Sequence, residues 1–208
     1  MFLHLKNILT ADELAHARSL LGETAPWVNG ARSAGEQAVQ HKNNQQLAQD
    51  SDAARELQAL VLQAVQRDAL FFSAALPKRI FNPLFNRYSG ATNFYGDHVD
   101  GAILHSRATQ QWVRTDISCT LFLADPDEYE GGELTVREHE GDKRIKLPAG
   151  DAILYPGSTV HQVAPVTRGA RLASFFWVES MVRSTEQRRL LFDMDMALLQ
   201  LRASAGER

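Results

Sequence analysis

From Pro77 onward the chain breaks into short apolar runs separated by turn residues, and this pattern constrains the fold more than any other feature. The runs fall at 84–88, 117–123, 133–136, 145–147, 152–155 and 171–178. Between them stand Ser89-Gly90, Asp125-Pro126-Asp127, Gly131-Gly132, Pro148-Ala149-Gly150-Asp151 and Pro156-Gly157. Many short strands at near-regular spacing predict an antiparallel sandwich or barrel rather than a parallel α/β sheet.

Helices flank this centre. Thr10-Ala11-Asp12-Glu13 has the form of a capping box, and Leu14, Ala17, Leu20 and Leu21 follow at helical spacing, so a helix is predicted over 10–22. A second is predicted from Ser51 to just before Pro77, with Leu57, Leu60, Val61, Ala64 and Val65 as its apolar stripe. The polar stretch 24–50, with Gly30, Gly35 and Asn43-Asn44-Gln45-Gln46, reads as an ordered loop with extended pieces. Residues 184–201 are helical again, and the stripe Leu190, Leu191, Met194, Leu198 and Leu201 has to be buried. Packing against the barrel or the second helix is the plain expectation; a homodimer contact is the sharper one. No internal repeat is evident. The order suggests a helical support over 1–77, a β core over 78–178 and a helical extension over 179–208.

Composition removes several classes of function. Of 208 residues, 22 are Lys or Arg and 25 Asp or Glu, a net charge of −3, so no basic excess is present to neutralise a phosphate backbone and no nucleic-acid partner is expected. The single cysteine, Cys119, leaves no internal disulfide and no multi-cysteine metal site; it lies in an apolar run and reads as a buried, inert thiol. The N-terminus lacks the pattern of a signal peptide, and no apolar run approaches the ~20 residues that span a bilayer. The expectation is a cytoplasmic protein without membrane contact.

The chemistry lies in the β-rich centre. In His98-Val99-Asp100 the imidazole and the carboxylate are two residues apart, so an extended segment points both to one side. His161 follows the run at 152–155. Two imidazoles and a carboxylate form the ligand set of non-haem Fe(II) oxygenases, and the same set also serves zinc. A surface pair is nonetheless the commoner meaning of a lone His-x-Asp tripeptide. Ten residues beyond His161, Arg171 begins a strand whose alternation puts Arg171, Ala173, Phe175 and Trp177 on one face. If that face is inward, the guanidinium is a cation in an apolar wall, and an anionic ligand is the expected partner. Phe175 and Trp177 are candidates for that dry wall, with core packing the expectation for at least one. His4, His16, His41 and His139 fall in or near the first helix or in polar loops. His105, close to the site, is a candidate substrate contact against the plainer reading of a solvated loop residue.

The chain resembles the prokaryotic PKHD-type hydroxylases, relatives of the prolyl 4-hydroxylases among the Fe(II)/2-oxoglutarate-dependent dioxygenases. The resemblance runs through Trp27-Val28-Asn29-Gly30, Ala34-Gly35, Lys42-Asn43-Asn44-Gln45-Gln46-Leu47, Tyr88-Ser89-Gly90, Gly96-Asp97-His98-Val99-Asp100 and Arg114-Thr115-Asp116-Ile117-Ser118. It continues in Phe122-Leu123-Ala124-Asp125-Pro126, Gly131-Gly132-Glu133-Leu134, Lys146-Leu147-Pro148-Ala149-Gly150-Asp151, Leu154-Tyr155-Pro156, His161 and 165–171.

The resemblance implies a mainly β core with helices (α+β), a double-stranded β-helix or jelly roll supported by N-terminal helices and a C-terminal one. It implies iron held by His98, Asp100 and His161, the distal carboxylate of 2-oxoglutarate on Arg171, and a co-substrate contact from Tyr88. It further implies O2 as co-substrate, L-ascorbate as supporting reductant, and hydroxylation with release of succinate and CO2. The substrate is expected to be a small molecule or a peptide, and the family's association with bacterial iron uptake adds siderophores. The alternative is a non-catalytic sensor binding metal and 2-oxoglutarate on the same fold; zinc-dependent hydrolysis comes third, because it leaves Arg171 without a purpose. The segment 101–114 is long for a hairpin connection and is expected at the substrate mouth, with Arg107 and Arg114 able to meet an acidic group.

Overall fold

The computed structural model of the chain describes residues 1–33, 41–106, 109–138 and 141–206. Three residues or motifs singled out in the sequence, Ala34-Gly35, Arg107 and His139, lie outside the described residues. The chain opens with β1 (Leu3–Leu5), α1 (Ala11–Leu20), β2 (Trp27–Asn29), β3 (Lys42–Asn43), β4 (Gln45–Leu47), α2 (Asp52–Arg67) and α3 (Ala69–Ala75). Strands then dominate: β5 (Pro77–Ile80), β6 (Leu84–Ser89), β7 (Phe94–His98), β8 (Ile103–Ser106), β9 (Gln111–Arg114) and β10 (Ile117–Phe122). After them come β11 (Tyr129–Gly131), β12 (Leu134–Val136), β13 (Lys143–Ile145), β14 (Ala152–Pro156), β15 (His161–Val163), β16 (Val166–Ser180) and α4 (Thr185–Ala205).

Local chemistry sets the helix boundaries. The Thr10 hydroxyl accepts from the Glu13 amide at 3.3 Å while the Glu13 carboxylate accepts from the Thr10 amide at 2.9 Å, the reciprocal cap expected for α1. The second predicted helix is two helices. Asp68 takes an extended conformation (φ −84°, ψ 113°), ends α2, and accepts the Phe71 amide on its carboxylate at 2.6 Å to start α3. An aspartate that can cap a new helix competes with continuing the old one.

Two antiparallel sheets form the jelly roll. The larger runs β1-β14-β10-β16-β6-β4-β2, with β5 and β11 also paired to β16; the smaller runs β13-β12-β15-β7-β3. Strand alternation gives the larger sheet two different faces. Its back carries Phe85, Cys119, Leu121 and Phe176 against Leu57, Val61, Val65 and Phe71 of α2 and α3. Its front carries Tyr88, Phe122 and Tyr155 against Leu134, Val136 and Val163 of the smaller sheet. Cys119 is buried in the first of these cores, where burial pushes its thiol pKa up, as expected of an inert thiol.

The extended pieces expected in the polar stretch 24–50 are sheet strands, β3 in the smaller and β2 and β4 in the larger, and two other regions differ from the expectations. The segment 101–114 is itself a hairpin, β8 paired with β9, with Gln110 at positive φ (54°). Arg114 does not wait at a mouth: its guanidinium is bound to Asp116 at 2.6 and 2.8 Å. The apolar row of α4 is not packed on the barrel or on α2. Its described buried residue is Arg188, whereas Leu190, Leu191, Met194, Leu198, Leu199 and Leu201 are 45–63% exposed. The helix meets the body through Phe192 and a bond from the Ser73 hydroxyl to Asp195, which turns the Leu-rich row outward. Among the described residues no helix is long and apolar enough to cross a membrane.

Candidate metal centre

The smaller sheet sets the two imidazoles side by side. His98 ends β7, His161 begins β15, and the two are direct antiparallel partners, with ring centroids 4.2 Å apart. Each ring is pinned through Nδ1: His98 to the Gly96 carbonyl at 2.8 Å and His161 to the Thr159 carbonyl at 3.0 Å. A carbonyl can only accept, so each Nδ1 carries the proton and each Nε2 presents a lone pair. Burial, and then the neighbouring imidazole of His161, lower the His98 pKa, which favours the neutral ring that a ligand requires.

Asp100, one residue beyond Val99, turns its carboxylate to the same point. Its Oδ1 lies 3.9 Å from His98 Nε2 and its Oδ2 lies 3.7 Å from His161 Nε2. One ligand atom from each of the three residues lies within 4.8 Å of the others, close enough to converge on one cation. Ser118 of β10 donates its hydroxyl to Asp100 Oδ2 at 2.7 Å and orients the carboxylate. Tyr95 stacks on His98 at 3.6 Å. Among the described residues this is the one His/Cys/Asp/Glu cluster close enough to hold an ion.

Arg171 lines the same cavity, of about 550 Å³. It sits in the middle of the larger sheet opposite Tyr88, is 1% exposed, and its Nε and Nη1 have no hydrogen-bond partner among the described residues. The guanidinium carbon lies 5.4 Å from the Tyr88 ring and 5.3 Å from that of Phe122. Buried polar atoms are otherwise paired, so a guanidinium left open inside a cavity fits an anion supplied from outside. The amide atoms of Asn44 and Oδ1 of Asn86, also lining the cavity, are open in the same way. Burial pushes the Tyr88 hydroxyl up in pKa, against the opposing charge of Arg171. The Gly131-Gly132 turn makes room for this arrangement. Gly132 has φ +69°, and a Cβ there would stand 3.1 Å from Arg171 Cδ and 2.8 Å from Val166.

The structure therefore gathers His98, Asp100, His161, Arg171 and Tyr88 into one cavity, with Phe175 and Trp177 both on its wall. Phe176, on the other face, packs on Phe71 with centroids 6.5 Å apart. The other described histidines do not line it: His4 bonds Asp151 at 2.7 Å, His16 bonds Glu56 at 2.6 Å, His41 is exposed, and His105 is exposed against Trp112. Sequence reasoning missed Lys42, Asn44, Asn86 and Ser118. The first two had a signal, because Lys42, Asn44 and Gln46 are buried while Asn43 and Gln45 are only partly so, a period of two hidden in a polar stretch. Lys42 is 7% exposed; burial lowers its ammonium pKa to about 8, opposed by Asp100.

Fold and site define a class of protein, and residues 83–179 match the family model described as 2OG-Fe(II) oxygenase superfamily. The chain belongs to the PKHD-type hydroxylases of that superfamily. A PKHD-type hydroxylase of Polaromonas sp. (strain JS666 / ATCC BAA-500) is 60% identical over 207 residues, covering 100% of this chain and 91% of the relative. The chain is a 2-oxoglutarate-dependent dioxygenase. Among solved structures, a Trichoplax adhaerens prolyl hydroxylase in complex with a hypoxia inducible factor peptide is similar in fold, with TM-score 0.59 and 17% identity over 91% of this chain and 86% of that one. HygX from Streptomyces hygroscopicus, solved with nickel, 2-oxoglutarate and hygromycin B bound, has TM-score 0.55 and 16% identity over 86% of this chain and 83% of that one.

Proposed function

We propose that this chain is a hydroxylase in which His98, Asp100 and His161 hold Fe(II) and Arg171, with Tyr88 beside it, holds the far carboxylate of 2-oxoglutarate. The observation that carries the reading is the meeting of two Nδ1-pinned imidazoles and a carboxylate in the same cavity as a buried guanidinium with open donors. HygX, with a divalent metal and 2-oxoglutarate in its structure, supports it by analogy of fold. The iron and 2-oxoglutarate supply the oxidising chemistry: with O2, the keto acid becomes succinate and CO2 while one oxygen enters a C–H bond of the substrate.

The chain's own residues bind, orient and keep water out. Neutral imidazoles and one carboxylate leave a divalent ion with one positive charge and open positions for further ligands. Ser118 holds the Asp100 carboxylate in register with the two rings. Arg171 fixes a flexible diacid by its far end, which turns a diffusing molecule into a positioned reactant. Phe175 and Trp177 form an apolar wall beside the reacting space. The region 78–178 carries this machinery, and 1–77 and 179–208 serve as its support.

The test is oxygen-dependent succinate release from 2-oxoglutarate with Fe(II), with L-ascorbate to keep the iron ferrous, against a panel of peptides and small molecules that includes siderophores. His161→Ala abolishes turnover, and Arg171→Met weakens 2-oxoglutarate binding by about a hundredfold or more. Tight binding of metal and 2-oxoglutarate with no turnover on any substrate would instead make the chain a sensor. We further propose that a second copy of this chain covers the exposed row of α4, because a contiguous apolar face of this kind marks an association surface.

A further inference from the structure

We propose that Asn86 is a positioning residue for the co-substrate: its amide donates to the Tyr88 hydroxyl oxygen and so leaves the phenolic hydrogen for the far carboxylate of 2-oxoglutarate. The inference rests on the assignment of Arg171 and Tyr88 given above and deepens it.

The first observation is register. Asn86 and Tyr88 are two residues apart on β6 and line the same cavity. Across the sheet, Tyr88 pairs with Arg171 and Asn86 with Ala173. The methyl group of Ala173 offers the amide no polar partner, and Asn86 turns along its own strand instead. Its Nδ2 donates to the Tyr88 hydroxyl oxygen at 3.4 Å. The bond is long, but both residues are buried, at 7% and 1% exposure, and an interior of low dielectric strengthens what water would weaken.

The second observation is the accounting of donors. A phenol has a single hydrogen to give, while its oxygen can also accept. A neighbour that accepts from the hydroxyl takes that hydrogen away from a ligand; a neighbour that donates to it cannot. Among the described residues no side chain accepts from the Tyr88 hydroxyl, and Oδ1 of Asn86, the acceptor end of the amide, has no partner there. Burial raises the Tyr88 pKa, and Arg171 and then the Asn44 amide oppose the rise, so these two neighbours also favour the electron-rich oxygen. The phenol is thus surrounded by groups that give.

The third observation is the direction left open. The Tyr88 ring lies 5.4 Å from the guanidinium carbon of Arg171, whose Nε and Nη1 have no hydrogen-bond partner among the described residues. A carboxylate seated on that guanidinium has lone pairs to spare for a further donor. With its oxygen already occupied by Asn86, the hydroxyl is set for this acceptor before the diacid arrives, and less freedom is lost on binding.

The experiment uses the full chain loaded with Mn(II) without oxygen and compares two keto acids by calorimetry. One is 2-oxoglutarate; the other is 2-oxobutanoate, which has the same chelating head and no far carboxylate. Asn86→Leu keeps the size of the side chain and removes the donor. It is expected to weaken 2-oxoglutarate about tenfold and to leave 2-oxobutanoate within about twofold of the wild type. Tyr88→Phe is expected to show the same selective loss. Adding Asn86→Leu to Tyr88→Phe is expected to change 2-oxoglutarate affinity by less than about twofold, because the amide acts through the phenol. Wild-type affinity for 2-oxoglutarate in Asn86→Leu overturns the proposal. An equal loss for both keto acids also overturns it, since that marks a disturbed metal centre, and so does a full further loss in the double variant. If the Leu variant does not fold, Asn86→Ala takes its place with the same expectations. Wild-type affinity in Tyr88→Phe overturns the Tyr88 contact and the proposal with it, while Arg171 keeps its role. Failure of the wild-type chain to bind 2-oxoglutarate overturns the underlying assignment instead.

Discussion

At the scale of single residues, the site depends on hydrogen bonds that aim its ligands. Ser118 is the clearest case, because its hydroxyl bonds the Asp100 oxygen that faces His161. Ser118→Ala is expected to lower metal affinity about tenfold to a hundredfold, measured by metal titration, with little change in fold. Gly132 acts through shape. An alanine there meets both a positive φ and the Arg171 side chain, so Gly132→Ala is expected to destabilise the fold by more than about 1 kcal/mol and to weaken 2-oxoglutarate binding. Unchanged melting and unchanged affinity would remove that role. His98 gives a dependence on pH. Burial, then the neighbouring imidazole, hold its pKa below the ordinary value, so on acidification the unfolded chain takes up this proton before the folded one does. The metal-free protein is therefore expected to lose stability as pH falls below about 6.5, with a urea midpoint lower at about pH 5.5 than at about pH 7.5. His98, Asp100, His161 and Arg171 were legible in the sequence because spacing on strands and charge in an apolar face are local properties. Ser118 was not, since nothing local distinguishes a serine that orients a carboxylate 18 residues away from one that merely packs.

At the scale of elements, boundaries followed from local chemistry where that chemistry was unambiguous. The capping box of α1 is one such case. The break between α2 and α3 is the contrasting one: periodicity ran on through Asp68, and a single side chain able to cap ended it. Asp68→Ala is expected to cost about 1 kcal/mol of stability, read from denaturant unfolding, through the lost bond to the Phe71 amide. The strands β2, β3 and β4 were hidden because their stabilisation comes from partners far along the chain. Trp27 pairs with Leu47, and Lys42 with Tyr95. The β8–β9 hairpin was read as a loop for a related reason: its buried positions, Ser106 and Val113, stand among exposed polar and apolar residues and do not form the apolar alternation that a half-buried strand shows.

At the scale of the whole molecule, the larger sheet separates two cores, one shared with the helices and one enclosing the cavity. Phe85, Cys119 and Phe176 belong to stability, while Tyr88, Ser118 and Arg171 belong to the site, on the same strands. The exposed row of α4 adds an expectation for assembly: the solution mass should rise with protein concentration, and Leu198→Glu should hold the chain at monomer mass. A mass independent of concentration dismisses the second copy. Taken alone, the sequence determined the order of helices and short strands, the lack of a basic excess, and the four residues able to bind metal and diacid, since each depends on spacing and composition. Only the tertiary structure decided that His98 and His161 stand opposite each other, that Lys42 shares their cavity, and that the Leu-rich row of α4 faces outward. Those outcomes turn on which distant strands pair and which faces meet, and the gain from such contacts is realised only once the chain has closed loops of tens of residues.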